Sequence, residues 1–113
     1  MDQELISELH LLHERVCDAV GSPVRLMIFY ALSGQPRYVS DLAEELNLPQ
    51  PTVSRHLKIL RDRGLVTAKR EGPAVYYALA DQRLITALDL MRGVMRDRIL
   101  KQVEIAHASA HEE

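Results

Sequence analysis

Residues Val39 to Leu65 read Val-Ser-Asp-Leu-Ala-Glu-Glu-Leu-Asn-Leu-Pro-Gln-Pro-Thr-Val-Ser-Arg-His-Leu-Lys-Ile-Leu-Arg-Asp-Arg-Gly-Leu, and this stretch decides the fold. It describes two short helices joined by a tight turn. Val39, Leu42, Ala43 and Leu46 recur at helical spacing and share one face. Asn47 tolerates the left-handed conformation that ends a helix, and Pro49 and Pro51 forbid its continuation. A second helix then runs to Gly64, with Val53, Leu57 and Leu60 as its buried line. Opposite that line stand Arg55 and Lys58, with Thr52 and Ser54 nearer the helix start. A helix that turns short donors and cations outward suits a DNA major groove. Residues 39–64 are therefore read as a helix-turn-helix whose second helix does the reading.

The flanking chain supplies a scaffold for that motif. Glu4 to Val20 reads as a first helix, with Ile6, Leu9, His13, Val16 and Val20 at alternating spacings of three and four and Leu5 and Leu12 beside them. Gly21 ends it. Ser22 and Pro23 open the next helix as N-cap and first helical residue. That helix runs to about Leu32 and is apolar nearly all round (Val24, Leu26, Met27, Ile28, Phe29, Ala31), which predicts the central buried element. Gly34-Gln35-Pro36 is a turn. Leu65–Arg70 and Ala74–Leu79 are β-rich runs joined by Glu71-Gly72-Pro73, so residues 65–79 form a hairpin. Lys69 and Arg70 are expected at its tip, and Tyr76 and Tyr77 on its inner face. From Asp81 to about Ala106 a last helix carries Leu84, Leu88, Met91, Met95, Ile99 and Val103 in one apolar line, flanked by Ile85, Leu90 and Leu100. That stripe exceeds what a small core can cover. The tail Ser109 to Glu113 is expected to fray.

At 113 residues the chain has room for one core, so residues 1–113 are read as a single domain. A domain this short gains from a dimer interface. No apolar run approaches the length of a membrane span, and Met1-Asp2-Gln3-Glu4 does not resemble a signal peptide. One cysteine excludes an internal disulfide and fits a reducing cytoplasm. The net charge of −2 does not itself indicate nucleic acid, but its distribution does. Between Gln50 and Arg70 six basic residues (Arg55, Lys58, Arg61, Arg63, Lys69, Arg70) face only Asp62, whereas residues 1–20 hold five acids and only Arg15. Such a patch concentrates DNA contact on one surface.

Three motifs carry a family resemblance. The stretch Pro49 to Val66 resembles the recognition helix of the ArsR/SmtB family of winged-helix repressors. Gly21-Ser-Pro-Val-Arg-Leu-Met-Ile28 resembles that family's helix-opening signature, and Glu71-Gly-Pro-Ala-Val-Tyr-Tyr77 its wing. By motif the resemblance covers roughly residues 14–79, and by layout nearly the whole chain. It implies a mainly α winged helix-turn-helix with a small β-hairpin, ordered α1-α2-α3-α4-β-wing-α5. It also implies a homodimer formed through the first and last helices, residues 1–20 and 81–106. The expected activity is sequence-specific repression, released by a metal, redox or other signal.

Gln50, Thr52, Ser54, Arg55 and His56 are the residues expected to approach the groove. Glutamine pairs bidentately with adenine and arginine with guanine, while serine and threonine serve base or phosphate. His56 has a competing reading as a structural residue wedged between helices. Pro51 departs from the serine or alanine of many relatives; it suits a first helical turn but removes a backbone donor. Lys58, Arg61, Lys69 and Arg70 would supply the salt-sensitive affinity for double-stranded DNA. Two subunits would place their reading helices about 34 Å apart, on an imperfect inverted repeat.

The inducer sites familiar in the resembled family are replaced here. Where one such site has Cys-Val-Cys-Asp-Leu, this chain has Tyr38-Val39-Ser40-Asp41-Leu42, and tyrosine and serine are poor ligands for soft metals. Where another has Asp-x-His and a later His-x-x-Glu or His-x-x-His, this chain has Asp81-Gln82-Arg83, then Val94 and Asp97. A different set remains. His10, His13 and Cys17 fall within about a 60° sector of the first helix, where imidazoles and a thiolate could hold zinc or another divalent ion. His107 and His111 could complete such a site across a dimer. The competing reading is a small buried cysteine beside ordinary surface histidines. Cys17 is also a candidate thiol switch, for which a second subunit or a small thiol must supply the partner.

Two other functions compete with repression. A winged-helix protein–protein module without DNA binding usually lacks an outward basic face. An enzyme would need a phosphate loop, a nucleophile with its base, or a carboxylate pair in a cleft, and the sequence offers none.

Overall fold

Helix boundaries follow the capping chemistry. The structure, a computed structural model, describes residues 1–111, with side chains as far as Ala108. It divides into two compact units, the first being Met1–Gln82 and the second starting at Arg83. In the first unit, α1 occupies residues 3–20. Its opening is fixed by the Asp2 carboxylate, which accepts from the Glu4 and Leu5 amides at 2.7 and 3.4 Å. α1 is not uniform: Gln3–Leu12 is α-helical, His13–Cys17 forms a π turn, and Asp18–Val20 returns to α. In the π turn the Asp18 amide donates to the His13 carbonyl, one residue further back than an α-helix would allow.

Ser22 caps α2 (Pro23–Ala31) as expected, its hydroxyl accepting from the Arg25 amide. Ile28, Phe29 and Leu32 are wholly or almost wholly buried, but Met27 is 43% exposed, so α2 is central along one face rather than all round. α3 (Val39–Leu46) ends at Asn47, whose φ of 55° is left-handed. The Asn47 and Leu48 amides then return to the Glu44 and Ala43 carbonyls at 3.2 and 3.0 Å, the paired bonds of a Schellman cap. α4 (Gln50–Asp62) is the second helix of the motif, and it closes the same way around Gly64, with the Leu65 amide on the Leu60 carbonyl at 2.9 Å. Leu42 from α3 and Val53, Leu57 and Leu60 from α4 are fully buried, as the helical spacing predicts.

The hairpin is part of a three-stranded antiparallel sheet. β1 (Arg37–Tyr38), absent from the sequence reading, pairs with β3 (Ala74–Leu79), which pairs with β2 (Val66–Glu71), giving the order β1-β3-β2. Arg37 fastens β1 by donating to the Ala31 carbonyl at 2.9 Å and pairing with Glu45 at 3.0 Å. A two-residue strand escapes periodicity arguments because alternation needs more residues to be visible. The connection between β2 and β3 is only Gly72-Pro73, with Gly72 at φ 62°, the sign a primed two-residue turn requires at its first central position.

The second unit is helical. α5 comprises Arg83–Val94, a π turn over Met95–Leu100, and Lys101–His111. It continues past Ala106 through Ser109–His111, part of the expected frayed tail; Glu112 and Glu113, and the side chain of His111, lie outside the described residues. Met91, Met95, Ile99 and Val103 of the expected apolar line are all exposed, as are Leu90 and Leu100. In α1, Leu5, Leu9 and Leu12 are likewise exposed. No helix is long and apolar enough to cross a membrane among the described residues.

Candidate nucleic-acid interface

The outward face of α4 is built by the burial of its inward face. With Val53, Leu57 and Leu60 held in the core, Gln50, Ser54, Arg55, Lys58 and Arg61 are exposed, and Thr52 is half-buried at their edge. Arg55 Nη2 donates to Thr52 Oγ1 at 3.3 Å, so two of the candidate reading residues are pre-arranged one turn apart. At the helix start the Thr52 and Val53 amides both donate to the Pro49 carbonyl, at 3.0 and 3.2 Å, and Pro51 has no N–H. That start offers few donors to a phosphate, so recognition falls to side chains.

His56 stands apart from this face. It is half-buried, and its Nδ1 lies 3.4 Å from Arg25 Nη1 of α2. Because the guanidinium donates, Nδ1 accepts and the ring is neutral with its proton on Nε2. Burial, followed by the Arg25 and Arg55 charges, lowers its pKa from the ordinary histidine value.

The expected basic patch loses a member. Arg63 is half-buried, pairs with Asp18 Oδ2 at 2.9 Å and donates to the Glu14 carbonyl. Its charge is thus engaged by α1 rather than turned toward a groove. The wing differs from expectation as well. Gly72-Pro73, not Lys69 and Arg70, forms the tip; Lys69 is opposite Tyr76 and Arg70 opposite Val75. Neighbouring strand residues point to opposite faces, so Lys69 and Arg70 cannot both meet one phosphate chain from the same face.

The same alternation separates the two tyrosines expected on the inner face. Tyr76 lies with Lys69, Thr67 and Glu71 on the side that borders a shallow groove of about 440 Å³, and Tyr77 lies on the opposite side with Val66 and Leu79, which are buried. Tyr76 stacks on its cross-strand partner Tyr38 with ring centroids 3.9 Å apart, and the two hydroxyls are hydrogen-bonded. That bond, helped by burial and Glu71, raises the Tyr76 pKa to about 12. Tyr38 occupies the place of a cysteine in the first family site discussed above, and its hydroxyl is committed to Tyr76. The residues there do not fit a soft metal.

His10, His13 and Cys17 are all exposed, contrary to a buried role for Cys17. Among the described residues no group of three or more His, Cys, Asp or Glu side chains is gathered closely enough to hold a metal ion. The residues that the sequence reading missed are Arg25 and Asp18. A lone arginine inside the apolar run of α2 was the available signal, because such a charge must find partners.

Comparison with known proteins agrees with this geometry. Residues 22–68 match the family described as bacterial regulatory protein, arsR family. The transcriptional repressor SmtB of Mycobacterium tuberculosis is 47% identical over 66 residues, covering 58% of this chain and 49% of that protein, so the match spans about half of that relative's length. An uncharacterised HTH-type transcriptional regulator of Methanocaldococcus jannaschii is 39% identical over 74 residues, covering 65% of this chain and 83% of the relative. Among solved structures, a homodimeric winged helix-turn-helix DNA-binding domain from Mycobacterium bovis superposes with a TM-score of 0.73 at 28% identity, covering 90% of this chain and 93% of that one. The cadmium sensor CmtR of M. tuberculosis superposes with a TM-score of 0.58 at 43% identity, covering 67% and 79%. The chain belongs to the ArsR family of bacterial regulatory proteins.

Proposed function

We propose that the protein is a homodimeric transcriptional repressor that binds an inverted-repeat operator through α4. The observation that carries this reading is the division of α4 into a fully buried line (Val53, Leu57, Leu60) and an exposed polar, basic face (Ser54, Arg55, Lys58, Arg61). Gln50, Thr52, Ser54 and Arg55 read base edges; Lys58, Arg61 and one wing cation hold phosphate. His56 contributes at most its Nε2–H, since Nδ1 is occupied by Arg25. The exposed apolar side chains of α1 and of α5 are covered by a second copy of the chain, as the homodimeric M. bovis relative suggests. The two units then act as one DNA-binding domain in the cytoplasm.

The repressor is released by a signal, in keeping with the cadmium sensor among its relatives. His10, His13 and Cys17 are the candidate entry points. With no three-ligand group among the described residues of one chain, zinc or another divalent ion takes ligands from both subunits, and a redox signal acts through the exposed Cys17 thiol.

The test is fluorescence anisotropy on DNA from upstream of the protein's own gene, against scrambled DNA, over a salt series. Preference for the upstream DNA with a steep loss of affinity as salt rises is expected. No preference at low salt would sink the repressor reading and direct the search to a protein partner.

A further inference from the structure

Two arginines join the reading helix to the C-terminal part of α1, and neither belongs to the outward face of α4. Arg25, on α2, donates to the Asp18 and Ala19 carbonyls, the first at 3.2 Å, and to His56 of α4. Those carbonyls are among the last of α1; the Asp18 carbonyl also accepts from the Gly21 amide at 3.3 Å, and the guanidinium completes the cap and answers the helix's negative end. Arg63, at the C-terminal cap of α4, reaches Asp18 Oδ2 and the Glu14 carbonyl. The π turn explains that second bond: the Asp18 amide, which an α-helix would give to Glu14, goes to His13 instead. Arg15 returns the contact, its Nη1 3.5 Å from the Asp62 carbonyl.

We infer that Arg25 and Arg63 are positioning residues for DNA recognition: through Asp18 and the π turn they lock the orientation of α4 to α1. This rests on the repressor reading above, in which α1 belongs to the dimer interface and α4 reads the operator. A lock between them fixes the separation and tilt of the two reading helices, which must match the half-site spacing. The charge pair is partly exposed, with Arg63 and Asp18 side chains 29% and 58% accessible, so its role is directional rather than a large source of stability.

The experiment compares Arg63→Gln, Asp18→Asn, their double variant and Arg25→Gln with the wild-type protein. Operator affinity is read over a salt series, together with hydrogen exchange of the Gln50–Asp62 amides. Each single variant should lose about 2–30-fold in operator affinity. The salt slope should stay unchanged, and the Asp18/Arg63 double variant should be no worse than the weaker single. The reading-helix amides should exchange faster in all of them. A salt slope reduced by about 0.9 per subunit in Arg63→Gln would make it a phosphate contact and overturn the inference. So would additive losses in the double variant, or unchanged exchange. If the wild-type protein shows no operator preference, the repressor reading fails, while the exchange measurement, which needs no DNA, still decides whether the lock exists.

Discussion

Replacing Lys58 and Arg61 together by glutamine tests the proposed DNA face at its most quantitative point. Both side chains are exposed and one helical turn apart, Lys58 opposite the buried line of Val53, Leu57 and Leu60 and Arg61 at its flank. If each meets one phosphate, a subunit loses two contacts and a dimer loses four. At about 0.9 per contact, the slope of log affinity against log salt should flatten by about 3.6. Between about 50 and about 200 mM salt, the wild-type protein should therefore lose about two decades of affinity more than the variant does. Anisotropy titrations of operator and scrambled DNA at four or more salt concentrations read both quantities. The preference for operator should largely survive, because Gln50, Ser54 and Arg55 are untouched. A slope change below about 1 would refute the claim that this face meets the DNA backbone.

Neutralising the wing cations one at a time should give unequal results: of Lys69→Gln and Arg70→Gln, only one should flatten the salt slope, because the strand register turns the two to opposite faces. Equal effects would show the wing register to be wrong. Leu57→Ala should destabilise the protein by about 2–5 kcal/mol in chemical denaturation at fixed protein concentration. Ile59→Ala, at a position 37% exposed on the same helix, should cost markedly less, and equal losses would contradict the orientation assigned to α4. His56 has a folded-state pKa below its unfolded value, so under about pH 6.5 the unfolded chain takes up the proton more readily and stability falls as pH drops. His56→Gln should flatten that part of the pH–stability curve; an identical curve would mean that His56 is not its source. In an absorbance titration Tyr76 should ionise near pH 12, and Tyr38→Phe should bring it down toward the ordinary tyrosine value. The absence of a tyrosine ionisation near pH 12 that Tyr38→Phe removes would rule out the Tyr38–Tyr76 hydrogen bond in solution.

Much of the fold was legible because its signals are local. Ser22-Pro23 announces α2, Asn47 with Pro49 ends α3 and begins α4, and Gly64 ends α4, each by chemistry contained within a few residues. The buried line of α4 was legible for the same reason. What escaped depends on the third dimension. β1 exists because Arg37 and Tyr38 meet β3 some forty positions away, and two residues carry no period. The π turn in α1 has no compositional mark in His13-Glu-Arg-Val-Cys17. Tyr76 and Tyr77 look equivalent in sequence until a register assigns them to opposite faces.

The candidate site shows the same divide in its charges. Counting cations from Gln50 to Arg70 treats every one as available to DNA, yet a charge is available only if the fold leaves it unanswered. Arg63 is answered by Asp18 and by a carbonyl that the π turn releases, and both lie on a helix whose sequence reads as acidic and remote. The acids of α1 therefore do more than set the net charge. One of them takes a cation out of the apparent DNA patch and makes it a strut. The local motif determines which face of α4 can read DNA, and these long-range contacts determine the angle at which that face is presented.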